Sequence, residues 1–339
     1  MTMKNSRLIF LLFLGAIYMA TLTSCGSDQK KDEWEWEWED PVKNESTADS
    51  LITDKGWMLQ TGFGELPEYI RVYKSAGVLQ NKQAVAYLAV ADLNSATFKV
   101  LGNASGYHTP NDFYIAGKET VILNGGYFWA GASLSLLCRN AETLCANNPS
   151  VSRQNGEFIY YPTKGAFAEM KNGEFQVDWV YSVNGATYAY PNPADNKSGS
   201  TPLPQPSATF PEGGSVWNAK NGIGGGPVLI KNSIIVNTHE EELFDTASGV
   251  GPENNHPRSA IAVTKTGQLV FFVCEGRNMT QGVKGLTLSE VANILLEIGC
   301  THALNLDGGG SSCMLINGKE TIKPSDGKQR SVVTAVAFY

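Results

Sequence analysis

The sequence predicts an α+β fold, a mostly antiparallel, twisted sheet with a few helices, in which polar and glycine-rich turns form a pocket at one edge. Strand-forming runs recur at close spacing, as at 68–73, 84–90 and 120–123. One amphipathic pattern, at 287–298, predicts the longest helix. Few other long helical patterns occur, which disfavours a doubly wound parallel sheet.

The predicted helix over 287–298 has recognisable ends. Thr287 and Glu290 have the spacing of a capping box, and Gly299 suits the left-handed conformation that ends a helix. The apolar run 303–307 that follows predicts a buried strand that ends at an acid. Further on, NG at 317–318 predicts a type I′ hairpin turn, and 332–338 predicts a central strand.

The acid at the end of that strand begins the most unusual turn of the chain. Asp307 is followed by three glycines and two serines, Gly308, Gly309, Gly310, Ser311 and Ser312. Glycines can adopt positive φ, so their N–H groups can converge on an anionic or polar ligand; the alternative is a plain tight connector. Hydrogen bonds from this turn are expected to lower the pKa of Asp307 and keep it ionised.

The turn does not match a nucleotide-binding motif. A P-loop would continue with Gly-Lys-Ser/Thr, which is missing here. A dinucleotide fingerprint would lead from a strand into a helix, whereas these glycines lead into the strand predicted at 314–316. Nucleotide binding is therefore disfavoured.

Other predicted strands also end or begin at polar residues and glycines. Asn124 and Gly125 follow the strand at 120–123, and Gly225 and Gly226 precede a strand at 228–230. The strand at 269–274 ends at Glu275, which is placed as Asp307 is. These turns are expected to gather at the pocket, where the 224–226 run would form a second backbone cradle.

Several of these motifs resemble one known family. NLDGGGSS at 305–312, with GLTL at 285–288 and PSD at 324–326, resembles the signature of the phosphodiester glycosidase family. NGGYF at 124–128, GIGGGPVL at 222–229 and PRSA at 257–260 resemble further motifs, in the family's order. The resemblance implies hydrolysis of the bond between a sugar's anomeric carbon and phosphate, as in an N-acetylglucosamine-1-phospho-sugar. No cofactor is expected, and no cysteine-histidine cluster in the sequence suggests a metal site.

The residues can be assigned to that chemistry. An oxocarbenium-like transition state needs a carboxylate, for which Asp307 and Glu275 are the candidates, and Asp307 is the preferred one. An anionic phosphodiester needs guanidinium or N–H donors, for which Arg258 and Arg277 are candidates; the alternative for each arginine is a surface ion pair. The remaining predicted substrate-binding residues are Asn124, Gly125, Gly225, Gly226, Gly308, Gly309, Gly310, Ser311, Ser312 and Asp326. Tyr127 or Phe128 either packs in the core or stacks on a sugar.

Two other functions remain open at this point. A glycan-binding surface module would use the same aromatic and polar residues without hydrolysis. A phosphodiesterase that cleaves at phosphorus would be expected to hold paired metal ions, and the sequence shows no dense cluster of metal ligands.

The N-terminus has the pattern of a bacterial lipoprotein. Residues 1–24 combine Lys4 and Arg7 with an apolar run and small residues, which predicts a signal peptide, and Cys25 is the predicted lipidated residue. The alternative is an ordinary signal peptide with an unmodified cysteine. Residues 25–50 are predicted to form a flexible acidic tether. The alternating Trp and Glu residues at 34–39 serve either as part of a solvated spacer or as a contact for glycan. The expected location is the cell envelope, as an outer-membrane lipoprotein, periplasmic or surface-exposed.

Residues 51–339 are predicted to form the family-like domain, with an insertion at about 131–215 that rims the pocket. The full chain carries a formal charge of −7, which argues against nucleic acid as a partner.

The spacing of Cys138 and Cys145 allows a local disulfide; the alternative is that both remain free. Cys274, Cys300 and Cys313 lie in apolar patterns.

Overall fold

The computed structural model describes residues 47–339, with side chains from residue 49 onward. The predicted signal peptide, Cys25 and the tether up to residue 46 lie outside the described residues. Residues 47–50, which the sequence assigned to the tether, belong to helix α1 (Thr47–Thr53). Asp49 of this helix is buried, and its carboxylate accepts a 2.7 Å hydrogen bond from Tyr73. The folded unit therefore begins before the predicted boundary at residue 51.

Three antiparallel sheets make up the fold. The largest has eight strands in the spatial order Trp57–Leu59, Ile70–Ser75, Ala86–Asp92, Gln268–Cys274, Arg258–Thr264, Cys300–Asn305, Val228–Lys231, Ile234–Ile235. Every pairing recorded between these strands is antiparallel. The prediction of mostly antiparallel sheets with few helices is confirmed.

The second sheet has seven strands and is formed largely by the segment predicted to be an insertion. Its order is Glu142–Cys145, Leu137–Arg139, Ala219–Gly224, Lys164–Met170, Phe175–Val183, Ala186–Tyr190, Ser215–Val216. Phe167 and Trp179 of this sheet belong to the same buried cluster as Phe271 of the first sheet. The segment 131–215 is thus part of the core, and it also supplies residues to the cavity described below.

The third sheet has five strands in the order Lys319–Glu320, Met314–Ile316, Val121–Asn124, Thr334–Phe338, Phe98–Gly102. The C-terminal strand is central, as predicted, because it pairs with a strand on each side. Phe338 packs against Phe271 of the first sheet with ring centroids 4.6 Å apart. Asn317 and Gly318 both have positive φ, which matches the predicted type I′ turn.

Two further α-helices, three short strand pairs and three 3₁₀ helices complete the elements of the described residues; the 3₁₀ helices are Gln154–Gly156, Thr246–Ser248 and Gly309–Ser311. Helix α2 is Pro110–Gly117 and helix α3 is Leu288–Glu297. Glu290 N–H donates to Thr287 Oγ1 at 3.3 Å and Thr287 N–H to Glu290 Oε2 at 2.9 Å, so the predicted capping box is present. The short pairs are Val78–Leu79 with Lys82–Gln83, Phe128–Trp129 with Ala132–Ser133, and Val151–Arg153 with Phe158–Tyr160. Within residues 47–339 no helix is long and apolar enough to cross a bilayer.

The cysteines of the described region are free. Cys138 and Cys145 lie on paired strands, but Leu137 is opposite Cys145 and Cys138 is opposite Thr143. The two thiols are therefore out of register, which explains why the disulfide considered from their spacing does not form.

Candidate active site

A cavity of about 880 Å³ lies where the glycine-rich turns meet. Its lining is electropositive although the chain is acidic overall. Among the lining residues of the described region, five carry a cation and one carries a carboxylate: Arg153, Lys164, Arg258, Arg277 and Arg330 against Asp307. Such a lining favours an anionic ligand.

The backbone of Asp307 is held between two sheets. The strand Cys300–Asn305 delivers it to the cavity, and its N–H donates to the carbonyl of Gly125 at 3.1 Å. Asn124 Nδ2 donates back to the carbonyl of Asp307 at 2.6 Å. These two contacts fix the position of the carboxylate on rigid elements, as a reacting group requires.

The surroundings of Asp307 raise its pKa, contrary to the expectation from the sequence. The Ser311 hydroxyl, the charge of Arg330 and the Gly308 N–H each act to lower the pKa. Burial against the cavity wall is the larger effect and raises the pKa to about 6. The acid is therefore mostly ionised at pH 7 and protonated below about pH 6.

The glycine run after Asp307 provides space for two arginines. A Cβ at Gly309 would lie 2.8 Å from Arg277 Nη2. A Cβ at Gly310 would overlap the guanidinium of Arg330 and the carboxylate of Asp326. The glycines therefore let both guanidinium groups rest directly on the backbone beside Asp307, where the sequence predicted a cradle of N–H groups.

Asp326 holds these two arginines in place. Its Oδ2 accepts from Arg330 Nε at 2.8 Å and Nη2 at 2.6 Å, and its Oδ1 lies 3.7 Å from Arg277 Nη1. Ser325 and Ser311 each accept one further hydrogen bond, from Arg277 and Arg330 respectively. The side chains of Arg277 and Arg330 remain 45% and 40% exposed, so both keep donors available for a ligand.

Arg258 has a different role from the phosphate contact predicted for it. It is only 2% exposed, and its guanidinium donates to four backbone carbonyls, those of Val250, Gly251, Asn254 and Leu286, at 2.6–3.0 Å. Four of its five N–H donors are thus occupied, and no planar fork remains for a phosphate. Its positive charge contributes to the electropositive character of the cavity. Its hydrogen bonds stabilise the loop that precedes the strand Arg258–Thr264.

Arg258→Lys should therefore act on stability. A lysine cannot reach all four carbonyls, and unsatisfied buried acceptors cost about 1–3 kcal/mol each. We expect the melting temperature to fall by several degrees, measured by circular dichroism. Arg277→Lys replaces a half-exposed side chain and should leave the melting temperature nearly unchanged. A wild-type melting temperature for Arg258→Lys combined with lost activity would instead indicate direct contact with substrate.

Glu275 does not line the cavity. Its side chain is buried, and Oε1 accepts a 3.0 Å hydrogen bond from the backbone N–H of Lys323. The prediction that it shares the site with Asp307 rested on both residues ending strands. The structure instead uses Glu275 to hold the 321–324 segment, which leads into the turn containing Asp326.

The other predicted substrate contacts are also mainly structural. Asn124 is fully buried, with its Oδ1 accepting from Ser259 and Cys313, and Ser312 is fully buried. The N–H groups of Gly125, Gly225 and Gly226 donate to backbone carbonyls, so neither turn presents a free cradle. These glycines are required because a Cβ would collide with neighbouring strands, for example with Thr334 at Gly125. Of the two glycine runs, 308–310 is the one that faces the cavity along its length.

Tyr127 both packs and lines the cavity. Its hydroxyl donates to the Gly226 carbonyl at 2.7 Å and accepts from Asn305 Nδ2 at 2.9 Å. Its ring lies 5.2 Å from that of Phe244. Burial raises the pKa of the hydroxyl, which stays protonated at neutral pH. This arrangement favours a fixed wall of the cavity over a mobile stacking residue.

Three cations of the cavity, Arg153, Lys164 and Arg330, were not predicted from the sequence. Arg330 lies four residues after Asp326, a spacing that indicates an ion pair only once the local turn is known. Lys164 donates from Nζ to the Glu242 carbonyl and lies 3.7 Å from the centroid of Phe244. Burial lowers the pKa of Lys164 to about 8. It lies in a segment without recognisable motifs, so no local signal marked it.

Comparison with known proteins places these motifs in one family. The phosphodiester glycosidase family model matches residues 120–339. Human N-acetylglucosamine-1-phosphodiester alpha-N-acetylglucosaminidase is 32% identical over 118 residues, which is 33% of this chain and 20% of the human protein. An uncharacterized prophage-derived protein of Bacillus subtilis (strain 168) is 40% identical over 83 residues, 24% of this chain and 13% of that protein. The matched segments thus span a fifth or less of these relatives.

Solved structures show a similar fold. The catalytic domain of the zebrafish N-acetylglucosamine-1-phosphodiester alpha-N-acetylglucosaminidase superimposes with a TM-score of 0.56 at 17% identity, covering 84% of this chain and 88% of that one. A hypothetical protein from Synechocystis superimposes with a TM-score of 0.55 at 19% identity, covering 84% and 68%. At these identities the likeness concerns the fold.

Proposed function

The chain belongs to the phosphodiester glycosidase family, and from that premise we propose that it hydrolyses a sugar-1-phosphodiester, such as an N-acetylglucosamine-1-phospho-sugar, to a free sugar and a phosphomonoester. The observation that carries the proposal is the arrangement around Asp307. Arg277 and Arg330 rest on the glycines directly after this acid, in a cavity whose lining also includes three other cations and several aromatic side chains. The two arginines would complement an anionic phosphate, and the Asp307 carboxylate would complement an electron-poor anomeric carbon.

In this proposal Arg277 and Arg330 bind the phosphate oxygens, and Asp326 keeps the two guanidinium groups oriented. Charge-assisted hydrogen bonds of this kind are among the strongest in proteins. They would also stabilise the negative charge that collects on the phosphate as the bond to the sugar breaks. A phosphomonoester is already a good leaving group, so little protonation by the protein is required.

Asp307 acts on the sugar side of the same bond. Above its pKa of about 6 the carboxylate is mostly ionised and can attack the anomeric carbon or activate a water molecule that does so. The bond from the anomeric carbon to the bridging oxygen breaks, that oxygen leaves with the phosphate, and an oxygen from water ends on the sugar. Either route would use the single carboxylate that lines the cavity within the described residues.

The test is an assay of the purified protein with an N-acetylglucosamine-1-phosphodiester in oxygen-18 water. We expect release of reducing sugar, with the label in the sugar and not in the phosphate. Label in the phosphate would indicate cleavage at phosphorus. Tight binding of the intact diester without release would indicate a glycan-binding module.

We also propose that Cys25 anchors the protein to the cell envelope as a lipoprotein. The support is the pattern of basic, apolar and small residues that ends on this cysteine. Cys25→Ala should release the protein from the membrane fraction, because one acylated residue carries the anchor. Fractionation at high salt measures this. Retention of the variant in washed membranes would contradict the lipoprotein assignment.

A further inference from the structure

Lys164 is a cation of the cavity that the chemistry proposed above does not use. Its side chain is half-buried and lines the cavity. Within the part of the chain that the structure describes, its ammonium makes no salt bridge, and its one hydrogen bond goes to the backbone carbonyl of Glu242. An ammonium has three N–H donors, so two of them remain for a ligand.

The other four cations that line the cavity in residues 47–339 are already engaged. Arg153 forms a bidentate ion pair with Asp245, in which Nε and Nη2 donate at 2.8 and 2.7 Å. The guanidinium of Arg258 is occupied by backbone carbonyls, and the two arginines over the glycine run share the Asp326 carboxylate. Lys164 is therefore the cation whose charge and donors are least satisfied within the protein.

An aromatic ring holds the ammonium in a fixed position. Lys164 Nζ lies 3.7 Å from the centroid of the Phe244 ring. Phe244 follows Leu243, whose φ of 53° is left-handed, a conformation that is rare for leucine. The Phe244 N–H closes this turn by donating to the His239 carbonyl at 2.7 Å. Backbone strain of this kind persists where the surrounding structure enforces it, and it is concentrated at ligand sites.

The carboxylate of Glu242 does not satisfy Lys164. It is buried, and its two oxygens accept from four other donors, which are the N–H groups of Gly165 and Val228, the hydroxyl of Thr238 and the indole of Trp179. Its charge acts to raise the pKa of Lys164, but burial of the amine is the larger effect and lowers that pKa to about 8. The amine is thus mostly protonated at pH 7 and incompletely compensated, and an anionic ligand would stabilise it.

A series of contacts links Lys164 to the reacting acid. The Phe244 ring lies 5.2 Å from that of Tyr127, whose hydroxyl accepts a 2.9 Å hydrogen bond from Asn305, two residues before Asp307. Lys164, Phe244, Tyr127 and Asp307 all line the same cavity. None of these contacts involves the two arginines over the glycine run. An anion at Lys164 and a phosphate at those arginines would therefore occupy different positions in one cavity.

We propose that Lys164 binds a second anionic group of the substrate, a carboxylate, in addition to the scissile phosphodiester. This inference rests on the proposed function, because the phosphate is assigned there to the two arginines. A carboxylate carries one negative charge, as the ammonium carries one positive charge, and its oxygens can accept the two free N–H donors. The substrate is then an acidic glycosyl phosphodiester, with the carboxylate on the sugar, as in a uronic acid, or on the group beyond the phosphate.

Two matched pairs of diesters test the proposal and distinguish these two positions. In the first pair the sugar is N-acetylglucosamine or its C6 carboxylate, each with a methyl group beyond the phosphate. In the second pair the sugar is N-acetylglucosamine, and the group beyond the phosphate is ethyl or carboxymethyl. The wild-type protein should prefer the member with the carboxylate in one pair by about tenfold in kcat/KM, mainly through KM. No preference within either pair would overturn the proposal.

Lys164→Met should reduce that ratio of kcat/KM values to about one, because methionine keeps an apolar stem against Phe244 without a charge. Lys164→Gln keeps an N–H donor for the Glu242 carbonyl and should give the same result, also where the methionine variant does not fold. Lys118→Met is the matched control, since Lys118 Nζ lies 4.6 Å from the centroid of the Tyr114 ring but does not line the cavity. The control should keep the wild-type ratio. A preference that survives the loss of the Lys164 charge would overturn the proposal.

A binding measurement separates this inference from the proposed function, because it needs no hydrolysis. Calorimetry compares phosphoglycolate with ethyl phosphate, and N-acetylglucosaminuronic acid with N-acetylglucosamine. The wild-type protein should bind the member with the carboxylate more tightly in one pair, by about tenfold, and Lys164→Met should remove that difference. If no diester is hydrolysed, the proposed function fails while this comparison still decides the anion site. Equal affinities within both pairs, or a difference that the variant retains, would overturn the inference.

Discussion

Asp307→Asn should lower turnover by at least about a hundredfold, the scale expected for a charge-stabilising or nucleophilic carboxylate. Asparagine keeps the size of the side chain and one of its oxygens. It removes the negative charge that would face the anomeric carbon. Initial rates on an N-acetylglucosamine-1-phosphodiester measure the effect.

The same substitution should leave the folded protein as stable as the wild type or more stable near pH 7. The fold raises the Asp307 pKa from 3.8 to about 6, so it favours the protonated carboxyl. The associated stabilisation is present below about pH 4 and is lost as the pH rises through about 6. Because the carboxylate is partly open to the cavity, we expect an effect of about 1–2 kcal/mol, below the full value of the shift. Urea unfolding at pH 4 and pH 7 measures it.

The activity should rise with pH, whereas the stabilisation of the folded protein by Asp307 falls. The ionised carboxylate is the reactive form, so kcat/KM should rise as the pH increases through about 6, as far as Asp307 controls the rate. A profile that is flat between pH 5 and 7 would indicate that Asp307 does not titrate in the free enzyme, and would contradict its assigned role.

Glu275→Gln is the control for this experiment. Glutamine keeps an oxygen for the Lys323 N–H, and the side chain does not line the cavity. We expect activity within a few-fold of the wild type. An inactive Glu275→Gln together with an active Asp307→Asn would reverse the assignment of the two carboxylates.

Features with local sequence signals were predicted well. The capping box at Thr287, the turn at Asn317 and Gly318, and the buried C-terminal strand depend on residues close in sequence. Hydrophobic periodicity and turn chemistry are sufficient to define such elements. The antiparallel class follows from the same signals, because short strands joined by tight turns pair with their neighbours.

The roles of the site residues depend on contacts between distant segments, and the structure gives several of these residues contacts other than the predicted ones. Arg258 is a plausible phosphate ligand until the carbonyls of Val250, Gly251, Asn254 and Leu286 are seen around it. The pKa of Asp307 depends on burial, which a list of neighbouring donors does not reveal. The role of a glycine run is equally ambiguous. Glycines that expose backbone N–H groups to a ligand and glycines that leave space for neighbouring side chains have the same composition.

Arg277→Ala and Arg330→Ala should each lower kcat/KM by about tenfold to a hundredfold. Loss of a hydrogen bond between charged groups costs about 1.5–3 kcal/mol, and each tenfold change in rate corresponds to about 1.4 kcal/mol. Lysine at either position should restore little where two parallel N–H donors are needed. Full activity of either alanine variant on a phosphodiester would remove that arginine from the phosphate site.

Gly310→Ala tests whether the glycine run exists to seat these arginines. The added Cβ would occupy the space of the Arg330 guanidinium and the Asp326 carboxylate, although the arginine itself is still present. We therefore expect a loss close to that of Arg330→Ala, and the double variant Gly310→Ala/Arg330→Ala should be no worse than Arg330→Ala alone, because both changes remove one interaction. Gly62→Ala is the matched control, since its Cβ meets nothing within 4 Å and its φ is not left-handed. Additive losses in the double variant would show that Gly310 serves the site through its own backbone, as the sequence alone had predicted.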